Sequence, residues 1–147
     1  MTHGVNAALP AARRVFDAVN TGDLSCLPDC VTAEFVDHGS PFPLPPGPEG
    51  YAQILGFVHG VLRIRYELLD TIETDDRIVI RARATGIGAP AFHGAAAEGR
   101  PYTMETIHVF RTQGHRLAEH WGVRDELGAL IQMGVVPAPS MPADVDA

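Results

Sequence analysis

Apolar residues recur along this chain with two periods, and the change from one to the other divides it into a helical half and a stranded half. Over residues 6–21, Ala8, Ala12, Val15, Phe16 and Val19 return at helical spacing. Pro10 is tolerated in the first turn of such a helix and Gly22 is placed to stop it. Residues 24–31 read as a second short helix bent near Pro28, and Glu34-Phe35-Val36-Asp37-His38 as a short strand ending at Gly39. After Pro48 and Glu49, which suit a helix start, Tyr51, Ile54, Leu55, Val58, Val61 and Leu62 share one face of a longer helix. His59 lies beside that stripe, at its boundary.

From Arg63 onward the period falls to two. Residues 63–73 and 77–85 predict paired strands about a Thr74-Asp75-Asp76 turn, and residues 86–100, with their glycines, alanines, Pro90 and His93, read as a mobile loop. Residues 102–134 predict a hairpin turning at Gln113-Gly114 and feeding a terminal helix. On its first strand Met104, Thr106, His108 and Phe110 share one face, opposite Glu105, Ile107, Val109 and Arg111. A histidine and a hydroxyl amid apolar bulk suit a pocket lining, and equally a core with two satisfied polar groups. Whether His120, on the second strand, faces the same way depends on register: a slip of one residue would turn it out and bring Glu119 or Trp121 in. Asp125 is expected to cap the last helix, whose stripe is Leu127, Leu130 and Ile131 and whose stop is Gly134. Helices followed by a run of strands mean an α+β fold: a curved antiparallel sheet wrapped around helices as a cone-shaped half-barrel.

The hairpin residues Glu119-His120-Trp121-Gly122, Asp125, Leu130 and Gln132-Met133-Gly134 resemble the closing signature of the SnoaL-like polyketide cyclases and related ester cyclases, within the nuclear-transport-factor-2-like superfamily. The resemblance extends through the first helix, residues 34–38 and the helix after Gly47-Pro48-Glu49-Gly50. It implies the same cone in a single domain over residues 1–137, a homodimer, and a small hydrophobic carbonyl substrate of polyketide type; residues 138–147, polar and rich in proline, are expected to form a flexible tail outside it. In those cyclases a carboxylate two residues after the second-strand histidine is the acid and base of an aldol closure. Here that position is Gly122, so the mechanism does not transfer intact. His108 matches the family's pocket histidine and Thr106 a neighbouring polar residue.

The candidate catalytic residues are therefore His108 and His120, with Asp37 and His38 at the first strand's end. Adjacent strand residues face opposite ways, so Asp37 and His38 do not make a natural dyad. Thr106, Met104, Phe110, Phe35, Phe57 and Trp121 are the candidate substrate-binding residues. The expected chemistry is cofactor-independent: His108, helped by His120, moves a proton next to a carbonyl while Thr106 or a water steadies the enolate oxygen. Aldol cyclisation, isomerisation and hydration all fit, as do a hydroxylase-like relative and a non-catalytic ligand-binding module. No pair among these residues has metal-motif spacing.

Five prolines between residues 40 and 50 suggest a stiff extended loop, either a rim at the cavity mouth or a connection with no functional contact. A net charge of −7 with scattered arginines argues against nucleic acid. No run of about 18 apolar residues is present to span a bilayer, and the first residues lack the order of a secretory signal, so the expectation is a cytoplasmic protein. Cys26 and Cys30 share a helix face and are read as buried thiols.

Overall fold

The structure, a computed structural model, describes residues 6–144. Residues 1–5 and 145–147, the latter ending the expected tail, lie outside it. Helix α1 (Leu9–Thr21) ends at Gly22, whose φ of +83° is a left-handed cap. Only glycine fits there, because a Cβ would also stand 2.6 Å from the His59 ring. A short α2 (Leu27–Cys30) leads into β1 (Val31–Asp37), and α3 (Gly47–Gly60) follows the proline-rich segment. Strands β2 (Arg65–Glu73) and β3 (Arg77–Ile87) form the first hairpin. Between β3 and β4 (Pro101–Gln113) come α4 (Pro90–His93) and one 3-10 turn, and β5 (Arg116–Arg124) leads to α5 (Glu126–Gln132).

The strands make one curved, open sheet in the order β1-β5-β4-β3-β2, antiparallel except where β1 runs parallel to β5. Val15, Phe16 and Val19 of α1 and Tyr51, Ile54 and Val58 of α3 join Ile78, Ile80 and Phe110 of the inner sheet face in one buried cluster. His59 fastens the two helices, its Nδ1 lying 2.6 Å from the Val19 carbonyl oxygen. This is the expected α+β cone, with its closed end filled by side chains.

Two expectations change. The segment 86–100 is folded: Gly88 and Gly99 exchange backbone bonds with Arg100 and each other, and His93 and Ala97 are buried. Small residues there let the chain pass close to the sheet; a Cβ on Gly88 would fall 1.9 Å from the Ala97 carbonyl oxygen. The stripe of α5 is only partly covered, since Leu127 is exposed and Ala129 is its buried residue. Asp125 does cap α5, its carboxylate accepting the Gly128 N–H at 2.9 Å. Among the described residues no helix is long and apolar enough to cross a membrane.

Candidate active site

A bulge decides what faces the cone. At the turn, Gln113 pairs with Arg116 and Thr112 with Leu117, which carried onward would set His120 opposite Val109 on the outer face. Instead one extra residue, Ala118, shifts β5, so that Phe110 pairs with His120 and His108 with Gly122. His108 and His120 thus point inward together. On the far side of β5, Asp37 pairs with His120.

These side chains form one line of hydrogen bonds. Asp37 Oδ1 lies 2.6 Å from His120 Nδ1, His120 Nε2 lies 2.9 Å from His108 Nδ1, and His108 Nε2 lies 3.0 Å from Thr106 Oγ1. The Thr106 hydroxyl donates to the Ala82 carbonyl oxygen at 2.9 Å. Both ends of the line are acceptors, so four bonds need four protons; two neutral imidazoles and one hydroxyl bring three. The fully bonded line therefore holds one extra proton. His108 is 4% exposed, enclosed edge-to-face by Phe16 and Tyr66. Burial, and then the charges of His120 and Arg124, push its pKa well below the usual histidine value, so His108 is a neutral member of the line. The Gly39 N–H donates to the same Asp37 oxygen at 2.8 Å.

Two spaces adjoin this line. An inner cavity of about 30 Å³, the share of one water, is bordered by His108, His120, Tyr66, Tyr51 and Arg124. A mouth pocket of about 400 Å³ is lined by Gly39, Pro41, Phe92, His93, Gly122, Arg124, Glu126 and Leu130. Arg124 borders both, held by an Nη2 bond of 3.1 Å to the Gly39 carbonyl oxygen. Gly122 separates them: a Cβ there would stand 3.3 Å from His120 Nε2 and 3.7 Å from His108 Nδ1. The glycine leaves the bond between the two histidines covered by no side chain of its own.

The other candidates divide. His38 lies outside, its Nε2 2.8 Å from Glu119 and its ring stacked on Trp121 at 5.0 Å. Alternation along β1 and β5 puts both rings on the outer face, so neither His38 nor Trp121 borders the cone. Thr106 sits behind His108 with its hydroxyl proton given to Ala82, which removes it as a donor to a substrate oxygen. Phe35, Met104 and Phe110 are core; Phe35 packs on Tyr51 and Phe110 on His120. Phe57 joins Phe42 and Phe92 in an aromatic rim beside the mouth, and Pro41 of the proline-rich segment lines it. Arg124 and His93 were missed by the sequence reading. Nothing in their local pattern marks them, since each reaches the mouth only through the folded 86–100 segment or the end of β5. No three His, Cys, Asp or Glu side chains among the described residues converge as metal ligands.

Comparison with known proteins agrees with this architecture. The profile of the SnoaL-like polyketide cyclases matches residues 10–133. The fold is similar to that of IdmH from Streptomyces antibioticus, a candidate polyketide cyclase, at 27% identity over 86% of this chain and 97% of that one, with a TM-score of 0.71. TsrD from Streptomyces laurentii superposes with a TM-score of 0.72 at 24% identity, over 87% of this chain and 98% of that one. AclR from Streptomyces galilaeus, a candidate hydroxylase, superposes with a TM-score of 0.70 at 17% identity, over 91% of this chain and 87% of that one. No curated protein sequence matches. With its profile covering most of the length, the chain belongs to the SnoaL-like polyketide cyclase family.

Proposed function

We propose that this protein is a cofactor-independent acid/base enzyme acting on a small, mostly apolar carbonyl compound of polyketide type, by aldol-type cyclisation or a related isomerisation. The observation that carries this reading is the unbroken line Asp37–His120–His108–Thr106, whose central bond passes beneath Gly122. Asp37 replaces, from another strand, the carboxylate that the family pattern would place at 122. A substrate seated in the mouth meets the proton between the two histidines. His120, backed by Asp37, gives that proton to a developing alkoxide and, once it has given it up, takes one at Nε2 from the carbon beside a carbonyl, while neutral His108, fixed by Thr106, keeps the imidazole in line. General acid/base catalysis of this kind is worth about 10²- to 10⁴-fold.

The test is exchange of α-deuterons, followed by NMR, in a panel of aryl 1,3-diketones. Asp37→Asn and His120→Gln are expected to slow exchange by about 10²-fold or more. Unchanged exchange in both variants would sink the reading. A second reading, addition of water to a conjugated carbonyl, is favoured by the inner cavity, whose volume suits one water within reach of His108 and Arg124. Labelled oxygen appearing in product from solvent would select it. The working unit we infer is a homodimer formed through the outer sheet face.

A further inference from the structure

His93 is buried to within 6% of its surface, and its Nδ1 accepts the Ala89 N–H at 3.0 Å. The proton of the neutral ring is therefore on Nε2, and among the described residues that atom has no hydrogen-bond partner. That atom is not sealed off: the fully buried side-chain polar atom left without a partner among the described residues is Tyr102 Oη, so His93 Nε2 is a free donor that a ligand or water can reach. His93 lines the mouth pocket, and so does Arg124, of which Nη2 is engaged by Gly39 and Nη1 stands 3.9 Å from Glu126. Burial also lowers the His93 pKa, which keeps the ring a neutral donor near pH 7.

We infer that His93 and Arg124 form the oxygen-binding subsite of the mouth pocket, holding the carbonyl oxygen of a planar enolisable or hydroxylated carbonyl compound. Glu126 lines the same pocket and is placed to accept a hydroxyl proton of that compound. Phe92 and Leu130 supply the apolar walls, and the volume of about 400 Å³ lies in the range of small-ligand sites. The two donors do what Thr106 cannot, since its proton is committed to Ala82. Charge developing on the oxygen meets a cation and a neutral N–H donor on the wall of the same pocket. This subsite rests on the acid/base reading for its catalytic meaning but not for its binding.

The probe is 1-hydroxy-2-naphthoate, a fluorescent planar aromatic with adjacent hydroxyl and carboxylate oxygens, titrated into the wild-type protein and four variants. His93→Asn keeps an acceptor for the Ala89 N–H while deleting the outward donor; His93→Gln keeps the outward donor. Expected is a loss of about tenfold in affinity for His93→Asn and for Arg124→Met, with His93→Gln near wild type, a tenfold change being 1.4 kcal/mol. His120→Gln is expected to bind the probe like wild type, so that failure of the proton-transfer reading and failure of the subsite are seen separately. The subsite is overturned if the wild type shows no saturable binding, if His93→Asn and Arg124→Met bind unchanged, or if naphthalene itself binds as tightly. Circular dichroism of each variant confirms the fold, and His93→Gln, which sacrifices the internal acceptor, controls for loosening of α4.

Discussion

Gly122 and Ala118 show how far single residues set the site. A side chain at 122 would press on the His120 ring at 3.1 Å and on its Nε2, closer than ordinary carbon contacts. The family's carboxylate and this chain's histidine pair therefore compete for one volume. Gly122→Asp is expected to lower α-proton exchange further instead of restoring a cyclase, because the new side chain displaces His120 from His108; the exchange assay checks it, and a gain would contradict the geometry. His108 also fixes a pH dependence. The unfolded chain takes up a proton at this residue near 6.5, whereas burial keeps the folded ring neutral to lower pH. Stability supplied by this depressed pKa is thus intact above pH 6.5 and drains as the pH falls toward the folded value. His93, also lowered by burial, acts in the same direction. Thermal melts are expected to drop between pH 7 and pH 5, and His108→Phe is expected to flatten that drop.

Among the elements, α5 and the second hairpin carry the clearest local signals. The Asp125 cap is one: Asp125→Ala deletes the bond to the Gly128 N–H and is expected to lower stability by about 1 kcal/mol, measured by urea unfolding. Caps, turns and alternation are short-range physics, and the sequence therefore displayed the helices, the β2-β3 turn and the inward set Thr106, His108 and Phe110. The bulge at Ala118 was not legible. An extra residue in a strand leaves no mark in an apolar pattern where Leu117 and Ala118 are both buried, and the orientation of His120 hangs on it. Nor was the Asp37–His120 contact legible, since it joins residues 83 apart through a parallel pairing that no turn announces. The segment 86–100 looked mobile because glycine and alanine read as loop. In the folded chain those small residues serve close packing, and they deliver His93 to the mouth.

At the scale of the whole molecule, the sheet has an outer face that the helices do not cover. Register places Ile72 beside Val79, Val79 beside Val109 and Val109 beside Trp121, a continuous apolar row across four strands. Ile107 and Val123 pair next to it, and Val123 is 74% exposed. Contiguous apolar surface of this kind suits the contact face of the proposed dimer. Flanking it, Arg81 and Arg83 meet Asp70, Glu67 and Glu105 in exposed ion pairs, so the face carries both charges in alternation. A second copy turned about a two-fold axis can match such a face, apolar row on apolar row and arginine against carboxylate. The histidines lie on the opposite side of the same strands, so separating the copies need not disturb them directly. Val123→Glu combined with Ile107→Lys is expected to halve the mass seen by light scattering while leaving the inner hydrogen-bonded line intact. A wild-type mass of one protomer would refute the dimer, and a monomeric variant with full probe affinity would show that each cone works alone.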